Sequence, residues 1–217
     1  MAKNQAAMSV TTERASGTVI RPAAFADDRR LVEAIVAGAG DARAALFERY
    51  SAYIEGVLAR VIGIDSDIPD LLHDVFVAAL AGIDKLKDPA KLGPWLTSVA
   101  VFTARGHIRR RRRRRWLRFM APEDLPEMDS ALPDAEVRQA LRATYQALDK
   151  MPTDERIPFA LRVIEGMELT EVADACGVSL ATIKRRLAKA ESRFVALAKE
   201  HEVLVDWLES SGRWSHR

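Results

Sequence analysis

The sequence predicts an all-α protein built from two helical domains joined by an acidic linker. Apolar residues recur at helical spacing through residues 27–118 and again through 134–199. Prolines and acids interrupt this pattern over residues 119–133. No segment shows the strict alternation typical of a strand, and hydrophobic residues make up 48% of the chain, enough to form a buried core.

Composition excludes several classes of function. The single cysteine, Cys176, cannot form an internal disulfide, and four scattered histidines do not form a metal-ligand cluster. We therefore expect no metal, no cofactor and a reducing, cytoplasmic location. No apolar run approaches the ~20 residues that a membrane span needs, so no membrane insertion is expected. The net charge is only +2 although 29% of residues are charged, so the distribution of charge matters more than its sum.

The first domain follows a polar, turn-rich segment, residues 1–26, which predicts a flexible arm. Two apolar stripes then predict helices, and Asp67-Ile68-Pro69 breaks the second stripe. Because proline is favourable in a first helical turn, a new helix is expected to begin there. After a loop at residues 84–93, a long helix is predicted to begin at Pro94.

That long helix runs into a dense basic segment. Arginine stands at position 105 and at every position from 109 to 115, with no acid between them. Like charges four residues apart repel on a helix, and a polyanion relieves that repulsion. The segment predicts contact with nucleic acid; a solvated charge run or a localisation signal is the alternative. Trp116 and Phe119 follow, and they either stack on bases or pack under the linker.

The acidic linker leads to a specific hypothesis. Three prolines block a regular helix over residues 119–136, and six acids prevent a packed core. We predict that residues 123–136 lie against the arginines in the free protein and weaken its binding to DNA.

Residues 169–189 carry the pattern of a helix-turn-helix. Ala173 is small enough for the two helices to approach, Gly177 can adopt the positive φ of the turn, and Ser179 is a favourable N-cap of the second helix. Cys176 is interpreted as a small hydrophobe in the pocket between the helices rather than as a redox sensor. The other predicted pocket residues are Val172, Val178, Ile183 and Leu187. An antiparallel helix pair with a charged face is the alternative interpretation.

The second helix of this motif is expected to present its DNA-contacting residues outward. Residues at its N-terminus read base edges in such motifs, and its basic residues contact phosphates. The predicted DNA-binding residues are Ser179, Leu180, Ala181, Thr182, Lys184, Arg185 and Lys189.

Two DNA-contacting helical modules on an acidic linker resemble the extracytoplasmic-function (ECF) sigma factors of bacterial RNA polymerase. The motifs that carry the resemblance are the acidic segment 70–76, Trp95-Leu96, Val99-Ala100, Ile108-Arg109, Met151-Pro152 with Arg156, Glu165-Gly166-Met167, Glu171-Val172-Ala173 and the run 182–187. It covers about residues 29–118 and 134–199. It implies a sigma region 2 domain at 27–118, a flexible linker at 119–133, a region 4 domain at 134–199 and a C-terminal extension at 200–217.

The resemblance implies a transcription-initiation factor that is not an enzyme and has no catalytic residues. Its first domain is expected to bind the clamp of core RNA polymerase and to recognise and open the −10 element of promoter DNA. Its second domain is expected to bind the −35 element through the helix-turn-helix residues above. An anti-sigma factor is the expected inhibitor.

The resemblance also implies site residues in the first domain. Those implied for polymerase binding are Asp70, Leu71, His73, Asp74 and Phe76. Those implied for −10 binding are Lys85, Lys87, Trp95, Ser98, Phe102, Arg105, Arg109, Arg110, Arg112 and Arg113. The loop at residues 84–93 is expected to hold a base flipped from the non-template strand.

Several positions depart from the family's pattern. His73-Asp74 stand where Gln-Glu is common, which keeps the charge and loses the amide. Phe102 and Gly106 stand where Asn and Asp are common in the −10 helix, so an unusual −10 sequence is expected. Pro158 lies inside a predicted helix and is expected to delay its start or to kink it.

The main alternative function is a stand-alone helix-turn-helix regulator that binds duplex operator DNA, usually as a symmetric dimer. An enzyme acting on nucleic acid has no support, because the sequence contains no phosphate loop, metal cluster or nucleophile–base pair. Asp70 and Asp74 are interpreted as a solvated or partner-facing surface rather than as a metal or acid–base site. The amphipathic tail, residues 200–217, is expected to pack on the second domain or to serve an inhibitor.

Overall fold

The computed structural model describes residues 27–63, 65–117 and 135–210. All regular elements within these ranges are helical, so the all-α prediction is confirmed. The predicted arm at 1–26 and the predicted linker at 119–133 lie outside the described residues, as does the end of the tail after 210. Among the described helices, none combines the length and the apolar character that crossing a bilayer requires.

The first module consists of four α-helices and two short 3₁₀ turns. The helices are α1 (Asp28–Val36), α2 (Gly40–Ile62), α3 (Ile68–Gly82) and α4 (Leu92–Leu117), and the turns are Ile83–Lys85 and Pro89–Lys91. Pro69 lies in the first turn of α3, as predicted, because its missing N–H costs no helical hydrogen bond there. α4 begins at Leu92, two residues before the predicted start at Pro94.

The core of the first module lies between α2, α3 and the first half of α4, which contact one another. Leu46, Leu58, Val75 and Leu96 are fully buried there. Each such side chain stabilises the fold by about 1.5–3 kcal/mol relative to an exposed one. This packing fixes the direction of α4, whose second half carries the arginines.

The second module begins with α5 (Ala135–Lys150) and α6 (Thr153–Phe159). Pro158 lies inside α6, and a π-helical turn, Ala160–Ile164, follows directly. The predicted late start is therefore wrong, because α6 begins five residues before the proline. The irregularity instead appears after Pro158, as a widened helical turn.

The helix-turn-helix consists of α7 (Leu169–Cys176) and α8 (Leu180–Ala198). Gly177 adopts the left-handed conformation, with φ +66°, and the Ser179 hydroxyl accepts a hydrogen bond from the Thr182 N–H at 3.3 Å. The predicted pocket is confirmed: Val172, Cys176, Ile183 and Leu187 are buried, and Val178 is half-buried. A last helix, α9 (Glu202–Ser210), contacts α5 and α8.

The two modules pack directly against each other. α4 contacts α6 and α7, and α2 contacts the π-helical turn. Nothing in the sequence indicated this interface. The interface determines which basic residues are exposed to solvent.

Candidate nucleic-acid interface

One basic surface lies on α8 and faces solvent. Lys184, Arg185 and Lys189 are exposed, as are Leu180 and Ala181 at the N-terminus of the helix. Thr182 is half-buried because its backbone N–H and hydroxyl face the Ser179 cap. The predicted DNA-binding residues of this helix therefore form one outward face with small or apolar residues at its tip and cations along it, which is the arrangement that a major groove accepts.

The second basic surface lies on the last turns of α4 and is divided into two parts. Arg110, Arg113 and Arg114 are exposed, whereas Arg105 and Arg111 are half-buried and directed into the molecule. The side chains of Arg115 and Trp116, and all of Phe119, lie outside the described residues. The predictions for Trp116 and Phe119 are therefore not addressed by the structure.

Arg111 belongs to a cluster of ionisable side chains at the second half of α4. It donates to Asp65 Oδ2 at 2.8 Å, and His107 Nε2 lies 3.2 Å from the same oxygen. The hydrogen bond from His107, assisted by the Asp67 backbone N–H and the charge of Arg111, lowers the pKa of Asp65 to about 2. Asp65, Asp67 and His107 have the donor atoms of a divalent-metal site. The Arg111 guanidinium already neutralises Asp65, however, and its charge opposes a second cation.

Asp154, in the first turn of α6, joins three arginines from three directions. Its carboxylate lies 3.8 Å from Arg105 Nε, 3.6 Å from Arg109 Nη2 and 3.8 Å from Arg186 Nη2. Arg105 and Arg109 come from α4, so this acid connects the two modules. Sequence reasoning did not find this contact, because it assigned the neutralising acids to residues 123–136, most of which lie outside the described residues.

Two hydrogen bonds from arginines of α4 add to the contact with the second module. Arg105 Nη2 donates to the Cys176 carbonyl at 3.3 Å, and Arg112 Nη1 donates to the Met151 carbonyl at 3.2 Å. Three of the predicted −10 residues, Arg105, Arg109 and Arg112, therefore bind the second module in this structure.

Arg156 is the most deeply buried cation of the interface, with 3% of its surface exposed. Its Nε donates to the Val61 carbonyl at 2.9 Å and its Nη2 to the Ile62 carbonyl at 2.6 Å, both in the last turn of α2. Its Nη1 bonds to the carboxylate of Asp149. Burial lowers the pKa of Arg156, but the Asp149 charge opposes that shift and the guanidinium remains protonated.

Comparison with known families assigns both modules. The family model for sigma-70 region 2 matches residues 46–114, and that for sigma-70 region 4 matches residues 141–194. The chain belongs to the sigma-70 family. Curated relatives place it in the ECF group, and the matched ranges make the first module region 2 and the second module region 4 of this sigma factor.

Three relatives show how far the similarity extends. The ECF RNA polymerase sigma-E factor of Haemophilus influenzae is 25% identical over 75% of this chain and 90% of its own length. The sigma-H factor of Pseudomonas aeruginosa is 27% identical, with 75% and 89% covered, and CarQ of Myxococcus xanthus is 27% identical, with 77% and 95% covered. The similarity therefore includes both regions.

Two solved structures share the fold. CnrH, in complex with the cytosolic domain of CnrY, has a TM-score of 0.54 and 26% identity, covering 80% of this sigma factor and 97% of CnrH. RpoE of Bartonella quintana, in complex with the anti-sigma factor NepR, also has a TM-score of 0.54, at 20% identity, with 71% and 94% covered.

The residues predicted to bind polymerase fall into two groups in this sigma factor. Asp70, His73 and Asp74 are exposed on α3. Leu71 and Phe76 are only 3% and 5% exposed, and the Phe76 ring packs 4.9 Å from that of Phe47. These two face inward and hold α3 in the core, because they lie on its apolar side, and their part in polymerase binding stays a prediction.

The remaining residues predicted to bind the −10 element lie along and before α4. Lys85 and Lys87 are exposed beside the 3₁₀ turns, and Trp95 and Ser98 are half-buried. Phe102 is 75% exposed, the largest exposed fraction among the large hydrophobic residues of the described chain. Ser98, Phe102, Arg105 and Arg109 share one face of α4, because they are spaced by four, three and four residues.

Proposed function

We propose that this sigma factor binds core RNA polymerase and directs it to promoters through two separate DNA surfaces, one on α4 and one on α8. The observation that carries the proposal is the pairing of an outward basic helix in region 4 with an outward Phe102 and arginine face in region 2. A stand-alone regulator needs only the first of these surfaces. Because the family is a group of polymerase subunits, the proposed place of action is the cytoplasm.

The α8 surface is proposed to bind the −35 element. Leu180, Ala181 and Thr182 would approach base edges in the major groove, and Lys184, Arg185 and Lys189 would contact phosphates. Phosphate contacts are independent of sequence and release counterions, so this helix positions region 4 chiefly by charge. Its small N-terminal side chains select bases by shape and apolar contact.

The α4 surface is proposed to hold the separated −10 strand. Unstacking one base step costs a few kcal/mol, and stacking a base on an aromatic ring returns about 1–3 kcal/mol. Phe102 is the exposed aromatic side chain proposed to do this, and Lys85, Lys87, Arg110 and Arg113 are proposed to contact phosphates. An aromatic side chain contacts the face of a base, whereas an Asn side chain can hydrogen-bond to the edge of a base. Phe102 therefore supports a −10 preference that differs from that of family members with Asn at this position.

The surface proposed for the polymerase clamp is the exposed side of α3, with Asp70, His73 and Asp74. None of these side chains belongs to either basic surface, so the proposal assigns polymerase and DNA to different residues. RpoE of Bartonella quintana was solved with an anti-sigma factor, and we propose a regulator of that kind for this chain.

The test is reconstituted transcription. Purified sigma factor is added to core polymerase with a library of promoter fragments, and the transcript start sites are sequenced. We expect discrete starts preceded by a shared −10 and −35 element. If the protein binds duplex DNA but yields only the random starts of core polymerase, it is a regulator and the proposal is wrong.

A further inference from the structure

We infer that Gly106 forms the floor of a nucleotide subsite on α4, where the nucleotide next to the base stacked on Phe102 rests directly on the helix main chain. The inference deepens the proposed −10 role of α4 and rests on it. It gives Gly106 a part in the shape of the −10 surface, whereas the sequence marked this residue only as a departure from the family's pattern.

The fold does not require a glycine at position 106. Gly106 lies inside α4 and is not among the described glycines with positive φ. Among the described residues, a Cβ added there would meet only the Arg110 side chain, whose Nη1 would lie at an ordinary contact distance of 3.7 Å. No described atom of region 4 lies within 4 Å of that Cβ, so the contact between the two regions does not require a glycine either.

The glycine lowers the stability of the helix that contains it. Glycine is among the least favourable residues in a helix interior, because its backbone loses the most freedom on folding. Arg105, Arg109 and Arg113 follow one another at spacings of four, and like charges at that spacing repel. Alanine would fit and would strengthen this part of α4. A residue that weakens its own element without a packing reason is expected where a ligand approaches the main chain closely.

The neighbours of Gly106 along α4 suit a single-stranded nucleic acid. Phe102 lies one turn before it with 75% of its surface exposed, and Arg110 lies one turn after it and is exposed. The Arg110 guanidinium reaches back towards the glycine, since its Nη1 is the side-chain atom nearest to the added Cβ. The bare main chain therefore lies between an aromatic residue and a cation, the two kinds of side chain that sites for single strands combine.

The spacing along the helix places consecutive nucleotides on consecutive turns. One turn of an α-helix advances about 5.4 Å along its axis. When one base stacks on Phe102, the adjacent nucleotide therefore lies over Gly106, and a Cβ there would project into the space of its base and sugar. Both residues stand where this chain departs from the family's pattern, so the subsite is a feature of this chain.

The test fills the subsite in the full-length protein and measures binding by holoenzyme. Gly106→Ala adds one methyl group and no charge, and Gly106→Leu adds a larger side chain that also favours a helix. The matched control is Gly40→Ala, the same change at the first residue of α2, where an added Cβ would meet no described atom within 4 Å.

The probe is a promoter fragment whose start site is mapped in the reconstituted transcription, with its non-template −10 strand left unpaired. A matched set of fragments lacks one base at a time along that strand. Gly106→Ala is expected to weaken binding of the intact fragment by about 10-fold, a loss in the range of one base contact, and Gly106→Leu by more. On the one fragment that lacks the base over Gly106, wild type and Gly106→Ala should bind alike.

Two further measurements separate this role from a structural one and from a charge contact. Gly106→Ala should raise the melting temperature of the free protein by about 2–4 °C, so weaker binding cannot result from unfolding. The slope of log affinity against log salt should equal that of wild type, because no phosphate contact is lost.

Two outcomes overturn the inference. One is that Gly106→Ala binds the intact fragment as tightly as Gly40→Ala does; the other is that its loss of affinity is the same on every fragment, whichever base is missing. In either case wild-type holoenzyme still starts at its promoters if the proposed function is correct. Absence of promoter-specific transcripts from wild-type holoenzyme would instead refute the proposed function, and this inference with it.

Discussion

Arg156 Nε donates a hydrogen bond to the main-chain carbonyl of Val61 at 2.9 Å, although the two residues are 95 positions apart in the chain. This bond joins the start of α6 in region 4 to the end of α2 in region 2. The bond is buried, and the same guanidinium also donates to the Ile62 carbonyl and the Asp149 carboxylate. These specific hydrogen bonds, and not the linker alone, therefore hold the two regions in their relative position.

Replacing Arg156 by alanine is expected to lower the free energy of unfolding by about 3–5 kcal/mol, because it removes the buried donor to two main-chain carbonyls and one ion-pair partner of Asp149. Urea denaturation at neutral pH measures the change. Arg185→Ala, which removes an exposed arginine, should change stability by no more than about 0.5 kcal/mol. Equal effects of the two substitutions would show that Arg156 is not a structural contact.

Asp65 is expected to make stability depend on pH. Its pKa of about 2 in the folded protein lies below the ordinary value of 3.8, so its contribution is fully present above pH 4 and is lost as the pH falls from about 4 towards 2. The shift corresponds to about 2 kcal/mol. Asp65→Asn should therefore destabilise the protein at pH 7 and have little effect near pH 2. Glu55→Gln, at an exposed position of α2, should follow wild type at both pH values; a pH-independent effect of Asp65→Asn would contradict the assignment.

Cys176 is expected to be chemically inert in the native protein. Burial raises the pKa of its thiol to about 11, so almost no thiolate is present near pH 8. Reaction with a disulfide reagent should be slow in buffer and complete in denaturant. A Ser192→Cys variant, which adds an exposed thiol on α8, should gain one rapidly reacting group. Rapid labelling of wild type would support a redox role instead.

The sequence predicted those features that depend on local chemistry. Gly177 and Ser179 favour the turn and the cap of the helix-turn-helix through their own backbone and hydrogen-bonding preferences. Pro69 favours the start of α3 in the same way. The interface between the regions depends on main-chain carbonyls, which every residue possesses, so the partners of Arg156 carry no sequence signal. The inward side of α3 likewise had no distinctive sequence signal, because Leu71 and Phe76 are equally compatible with a docking surface and with a core.

Phe102 offers a test of the −10 surface that does not affect the fold. With 75% of its surface exposed, Phe102→Ala should change stability by no more than about 0.5 kcal/mol. Loss of one stacked base, worth about 1–3 kcal/mol, should reduce promoter opening by about 5-fold to 150-fold. Fluorescence of a base analogue in the −10 element measures opening by holoenzyme. Val137→Ala, at an exposed apolar position of α5, is the control, and unchanged opening by the Phe102 variant would exclude stacking at this residue.

Lys184 tests whether α8 holds DNA by charge. Because each neutralised phosphate releases counterions, Lys184→Ala should weaken binding of region 4 to all −35 sequences alike and reduce the slope of log affinity against log salt by about 1. The measurement is a salt titration of holoenzyme binding to matched and mutated −35 elements. Lys199→Ala removes the same charge at the far end of α8, where it is exposed but distant from the predicted groove contact, and it should leave the slope unchanged. If Lys184→Ala instead weakens binding to only one −35 sequence, the side chain reads a base edge and the role assigned to it here is wrong.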